Sequence, residues 1–127
     1  MSPNRPKLVL IEDDLDTIDC LKRYLTACGV DVLTATSGEE GLALLAKSGP
    51  DVACVLVDLK LQSGVSGLEV LRRARSRYPS LRFVVVTGVE DENVATFARG
   101  LGAEDYLVKP VHPEQLKRIV SVCLKER

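Results

Sequence analysis

Polar residues stand at four points in this chain where chemistry could be done. Glu12-Asp13 follow the apolar run Leu8-Val9-Leu10-Ile11, and Asp58 follows Val52-Ala53-Cys54-Val55-Leu56-Val57. Thr87 ends Arg82-Phe83-Val84-Val85-Val86, and Lys109 ends Asp105-Tyr106-Leu107-Val108. A carboxylate at the mouth of a buried apolar run is costly unless it is paired, hydrated or bound to a metal. Three carboxylates brought together raise one another's pKa unless a cation sits among them. Hard oxygen donors of this kind suit Mg2+, which keeps several waters and is commonly completed by phosphate oxygens. An ammonium offers a point charge to a phosphoryl oxygen, and a threonine hydroxyl can donate to another. Such a set stabilises a phosphoryl group in transfer by position and charge, and a carboxylate can itself be the nucleophile.

The elements that must position these residues follow from the pattern of apolar residues. Pro3 to Pro6 is a short polar lead-in, and Leu8 to Ile11 reads as a strand buried on both faces. Asp14 is an N-cap for a helix carrying Leu15, Ile18, Leu21 and Leu25 up to Gly29. Val30 to Ala35 alternates as a second strand, and Ser37-Gly38-Glu39-Glu40 reads as a capping box opening a helix to Gly49-Pro50. After the strand before Asp58 comes a loop, then a second capping box at Ser66-Gly67-Leu68-Glu69 and a helix that stops before Pro79. Arg82 to Val86 is the fourth strand. Asn93 to Arg99 is a shorter, weaker helix, Asp105 to Val108 the fifth strand, and His112-Pro113-Glu114 the start of the last helix. Strand and helix thus alternate five times. Continuous apolar strands joined by crossover helices predict a parallel α/β sheet covered on both faces. In such sheets ligands bind outside the carboxyl ends of the strands, where Glu12, Asp13, Asp58, Thr87 and Lys109 would all fall.

Bulk properties narrow the alternatives. At 127 residues and 46% hydrophobic content the chain is expected to form one domain, with residues 1–6 as lead-in and no internal boundary. A formal charge of -1 gives no general attraction to nucleic acid or an anionic membrane. No apolar stretch is long enough to span a bilayer, and no signal peptide follows the basic N-terminus. The final Lys125-Glu126-Arg127 reads as a domain edge, fitting a stand-alone domain and an excised one alike. Cys20, Cys28, Cys54 and Cys123 are widely spaced and read as free thiols of a reducing cytosol. Arg72, Arg73, Arg75 and Arg77 read as a solvated helix face, and His112 as a helix cap. Neither the Gly-x-Gly-x-x-Gly nor the Gly-x-x-x-x-Gly-Lys-[Ser/Thr] fingerprint occurs, so dinucleotide and P-loop readings lose their support.

The chain resembles the receiver domain of two-component response regulators from Lys7 to about Leu124. The resemblance is carried by Leu10-Ile11-Glu12-Asp13-Asp14, Leu56-Val57-Asp58-Leu59, Val85-Val86-Thr87-Gly88 and Gly102-Ala103-Glu104-Asp105-Tyr106-Leu107-Val108-Lys109-Pro110. It implies a flavodoxin-like, doubly wound (βα)5 fold with strand order 2-1-3-4-5. It implies that Asp58 is the phosphoacceptor and that Asp13, Asp58 and the backbone carbonyl of Lys60 ligate Mg2+, with Glu12 acting through water. Thr87 and Lys109 would hold phosphoryl oxygens, Thr87 and Tyr106 would form the conformational switch, and Lys109-Pro110 would be cis. The Lys60 side chain would influence dephosphorylation. The implied donor is a histidine kinase or phosphotransfer protein in the cytoplasm. A homodimer would use the face of the fourth helix, fifth strand and fifth helix, and the domain itself would touch neither nucleic acid nor membrane. It would be no enzyme, but a phosphoacceptor domain that catalyses its own phosphorylation and dephosphorylation. One departure stands out: the family often has proline shortly after Leu61, where this chain has Gln62, in a loop about one residue longer than common.

Two other classes compete. A phosphorylation-independent interaction module would keep the fold, but the intact set of Glu12, Asp13, Asp58, Thr87 and Lys109 argues against it. A flavodoxin-like cofactor binder or a Mg2+ phosphohydrolase is opposed by the missing phosphate loop, the 4% aromatic content and the lack of a cap insertion.

Overall fold

The computed structural model of the chain describes residues 5–62 and 64–125. Residues 1–4 of the lead-in, Ser63 of the loop after Asp58, and Glu126-Arg127 at the expected domain edge lie outside the described residues. The chain runs β1 (Lys7–Ile11), α1 (Leu15–Ala27), β2 (Asp31–Ala35), α2 (Gly38–Ser48), β3 (Val52–Val57) and α3 (Gly67–Arg77). It continues through β4 (Arg82–Thr87), α4 (Glu92–Gly100), β5 (Ala103–Val108) and α5 (Pro113–Leu124). All strand pairs are parallel, in the order β2-β1-β3-β4-β5.

The period-two alternation of a strand divides the core into two layers. Val9, Ile11, Val55, Val57, Phe83 and Val85 face one side and pack with Leu45, Leu71, Ala74 and Ala98 of α2, α3 and α4. Leu8, Leu10, Cys54, Leu56, Val84 and Val86 face the other, against Leu21 and Leu25 of α1 and Ile119 of α5. Every residue of β3 is buried, which explains why its sequence shows no polar alternation. The four cysteines are free thiols, Cys20 and Cys28 exposed and Cys54 and Cys123 buried. The neighbouring Cys123 thiol, together with burial, pushes the Cys54 thiol well above its ordinary range.

Helix starts follow the expected side chains with local differences. Asp14 accepts from the Thr17 backbone N–H at 3.3 Å and also from its hydroxyl. Ser37 accepts from Glu40 N at 3.1 Å, but Glu40 returns to Thr36 N at 2.7 Å, one residue before the expected reciprocal partner. Asp91, absent from the sequence reading, caps α4 by accepting from Asn93 N at 2.8 Å and Val94 N at 3.3 Å. A short 3-10 turn, Gly49–Asp51, was likewise not foreseen, and β5 begins two residues before Asp105. Arg75 departs from the solvated face expected of it. Its guanidinium donates to the carbonyls of Pro79 at 2.6 Å and Leu81 at 2.9 Å and covers Gly102, fastening the turn between α3 and β4.

Ser66 accepts from Glu69 N at 3.2 Å, while the Glu69 carboxylate is taken up by Arg72 and Arg73 at 2.5 to 2.9 Å. Those two guanidinium groups hold Glu69 at about 2, below the ordinary glutamate value of 4.5. A carboxyl depressed on folding adds stability that is present above 4.5 and is lost as pH falls toward about 2. Glu69→Gln is therefore expected to flatten that part of the acid-unfolding curve, most visibly at low salt because the pair is exposed. Thermal unfolding of both proteins from neutral pH downward checks this. Identical pH profiles would refute it.

Candidate functional site

The site lies at the C-terminal ends of β1, β3, β4 and β5, where parallel neighbours deliver Ile11, Val57, Thr87 and Val108 to one edge. Backbone bonds carry the chain one step past the strands in register. Glu12 N donates to Ala35 O at 2.9 Å, Asp58 N to Ile11 O at 3.0 Å, and Lys109 N to Thr87 O at 2.8 Å. Glu12, Asp58 and Thr87 are the buried polar or charged side chains among the described residues. One carboxylate oxygen from each of Glu12, Asp13 and Asp58 lies within 4.8 Å of the others.

Lys109 closes the cluster. Its Nζ donates to Glu12 Oε1 at 2.6 Å and to Asp58 Oδ2 at 2.9 Å. Burial pulls the ammonium down, but the bonds to Glu12 and Asp58 outweigh it, and Lys109 ends above its ordinary value. Burial dominates at Glu12 and leaves it raised, assisted by the Asp58 charge and opposed by Lys109 and the Asp14 N–H. The remaining bonds are made by backbone donors: Asp14 N to Glu12 Oε2 at 3.0 Å, Lys60 N to Asp58 Oδ1 at 3.0 Å, and Gln62 N to Asp13 Oδ2 at 2.8 Å. With all four groups ionised, one ammonium against three carboxylates leaves two negative charges unmatched. The donors are all oxygen, and that charge fits a hard divalent cation.

Thr87 and Tyr106 stand on adjacent strands and converge on Val89, which the sequence reading did not single out. The Thr87 hydroxyl accepts from Val89 N at 3.4 Å, and the Tyr106 hydroxyl donates to Val89 O at 2.6 Å. Tyr106 is buried, and burial, followed by the charges of Asp91 and Asp58, raises its hydroxyl. The Lys109-Pro110 peptide is cis. The Lys60 side chain is exposed. Gln62 is the other residue missed. The only signal for it was its standing where the resemblance expects proline, which has no N–H to donate.

The loop carrying Asp58 and Leu59 is backed closely by α3. Gly67 N donates to Leu59 O at 3.2 Å, and a Cβ on Gly67 would overlap the Asp58 carbonyl oxygen and Leu59 Cα. These are backbone atoms and cannot turn aside. Gly67→Val is expected to cost about 1–3 kcal/mol or somewhat more. Gly100→Ala, where the new methyl meets nothing within 4 Å, is expected to stabilise by about 0.4–1 kcal/mol. Urea unfolding of the two variants checks the contrast, and equal midpoints would refute the packing argument.

The chain matches the response regulator receiver domain family over residues 8–121. Over 120 residues it is 38% identical to the transcriptional regulatory protein AfsQ1 of Streptomyces coelicolor, covering 94% of this chain and 52% of that protein. It is 33% identical to a cyclic di-GMP phosphodiesterase of Thermotoga maritima, covering 94% of this chain and 31% of that protein. The chain thus spans about half the length, or less, of these relatives. Among solved structures it resembles a response regulator receiver domain protein from Clostridium thermocellum, with a TM-score of 0.86, 29% identity and 94% of each chain covered. These findings bear out the expected fold and strand order.

They also correct one expectation. The resemblance in sequence implies no enzyme, but a phosphoacceptor domain that catalyses its own phosphorylation and dephosphorylation. The Thermotoga relative is a phosphodiesterase, and its matched part is less than a third of it. A segment of this kind therefore occurs inside an enzyme, and the exclusion does not hold. What the findings support is the receiver fold, which by itself does not fix an activity.

Proposed function

The chain belongs to the response regulator receiver domain family, and on that premise we propose that it takes a phosphoryl group onto Asp58 in phosphorelay signalling. The observation that supports this best is the bridging of two buried carboxylates by Lys109 at one end of the sheet. The donor is a histidine kinase or phosphotransfer protein presenting phosphohistidine. An Asp58 carboxylate oxygen attacks phosphorus, the P–N bond breaks with its electron pair leaving on the imidazole, and an acyl phosphate forms.

Mg2+ would be held by Asp13, Asp58 and the backbone carbonyl of Lys60, with Glu12 acting through water, and would supply positive charge for the phosphoryl oxygens. This chain's own residues do the rest. Lys109 is held by Glu12 and Asp58 with its charge intact, so its ammonium is in place for a phosphoryl oxygen. Thr87 holds a second oxygen, and giving up the weak contact to Val89 N costs it little. Movement of Thr87 disturbs the backbone at Val89, whose carbonyl accepts from the Tyr106 hydroxyl, and so biases a two-state equilibrium. A shallow groove beside Lys109, lined by Cys20, Leu21, Val111 and Leu116, together with exposed Leu15, offers apolar surface to the donor protein.

The reading includes one domain over residues 1–127, a cytoplasmic location, and a homodimer through α4, β5 and α5 as the assembly option. Among the described residues no helix is long and apolar enough to cross a membrane. The test is intact mass after incubation with acetyl phosphate and Mg2+, followed by peptide mapping. The expected result is one added phosphoryl group on the peptide containing Asp58, absent when a chelator is present. No adduct on folded protein would overturn the reading in favour of a phosphorylation-independent interaction module.

A further inference from the structure

The loop after Asp58 reaches back across the site. The backbone N–H of Gln62 donates to Asp13 Oδ2 at 2.8 Å, between residues 49 positions apart. A few residues on, Val65 N donates to Glu39 Oε2 at 3.2 Å, which fastens the loop to α2 as well. Gly64 lies against the same Glu39 carboxylate at φ +72°, a left-handed backbone that glycine adopts without a Cβ penalty. The loop is therefore anchored on two carboxylates, and the Gln62 N–H is delivered to Asp13 by the path of the backbone. Both oxygens of Glu12 and both of Asp58 already accept hydrogen bonds. Asp13 differs: among the described residues no hydrogen bond engages its Oδ1.

We propose that Gln62 is a positioning residue for the metal site: its backbone N–H fixes one oxygen of Asp13 and leaves the other free for the cation. This rests on the Mg2+ reading given above. An untethered, partly exposed carboxylate would have to be ordered at the moment of binding, and the tether removes that cost beforehand. Partners that orient a ligand in this way are commonly worth 10- to 100-fold in metal affinity. The effect belongs to the main chain, so the side chain at this position is free to vary. Proline alone cannot serve, since it has no N–H.

The test titrates Mg2+ into the wild type, Gln62→Ala and Gln62→Pro, followed by 1H–15N NMR. Gln62→Ala keeps the donor and is expected to bind as the wild type does. Gln62→Pro is expected to bind about 10- to 100-fold more weakly. A second measurement needs no variant: the Gln62 amide of the wild type should stay protected from hydrogen exchange at saturating Mg2+. Equal or tighter binding by a folded Gln62→Pro would overturn this inference alone, as would loss of the amide's protection on adding Mg2+. A wild type that binds no Mg2+ would overturn the reading beneath it and this inference together.

Discussion

Asp58→Ala is expected to carry no phosphoryl group after incubation with acetyl phosphate and Mg2+ under conditions that label the wild type. The reason is not only that the proposed nucleophile is removed. Asp58 is 5% exposed, and its two oxygens are already aimed by Lys109 Nζ and Lys60 N. Glu12 stays bonded to Lys109 and Asp14 N, and Asp13 to Gln62 N, so both keep their places when the Asp58 carboxylate is removed. The same substitution should leave the metal-free protein no less stable. It exposes one unpaired donor, Lys60 N, at an exposed residue where water can satisfy it. Against that it removes one of three carboxylates packed within 4.8 Å and leaves the Lys109–Glu12 bond intact. The stabilisation that Mg2+ brings should shrink in step. A cation at about 100 times its dissociation constant adds about 2.7 kcal/mol to the wild type. Thermal melts with and without Mg2+, beside intact mass, test all three statements. An adduct on Asp58→Ala would sink the assignment outright.

Lys109→Met is expected to slow phosphoryl transfer by about 100- to 1000-fold, the usual cost of removing one charge-stabilising donor from a reacting group. Methionine keeps much of the length and the apolar stem and deletes the charge. The same variant should bind Mg2+ more tightly, on the order of tenfold, because the ammonium that opposes the cation is gone and the field is screened by solvent at a group 24% exposed. Glu12 should move further up, having lost the bond that holds it down against burial. The opposed directions make the test sharp. A variant that merely folds badly would lose both rate and metal affinity, whereas loss of an ammonium at the reacting centre lowers one and raises the other. Single-turnover phosphorylation and an Mg2+ titration of the same sample measure the two. Rates within a factor of a few of the wild type would remove Lys109 from the reacting centre.

Much of this was legible from residue types. Val52 to Val57 is apolar without alternation because both faces of β3 are covered, and that pattern alone predicts a central parallel strand. Asp14, Ser37 and Ser66 announce helix starts because their side chains accept from the first turn whatever packs around them. Glu12, Asp13, Asp58, Thr87 and Lys109 could be brought to one edge on paper, since strands running in one direction put all their C-terminal ends on the same side.

Residue types and their order thus dictate the alternation of elements, the two-faced core and the set of charged groups at the strand ends. Their partners come from the folded arrangement. Arg75 looks like its neighbours Arg72 and Arg73 in the sequence, yet it fastens the α3–β4 turn through the carbonyls of Pro79 and Leu81. The Val89 side chain carries no chemistry of its own, yet its backbone N–H donates to Thr87 and its carbonyl accepts from Tyr106. Gln62 meets Asp13 through an N–H that every residue except proline possesses. Backbone donors and acceptors are the same at almost every position. Which of them meet is set by the path of loops in three dimensions, and side-chain patterns do not record that path.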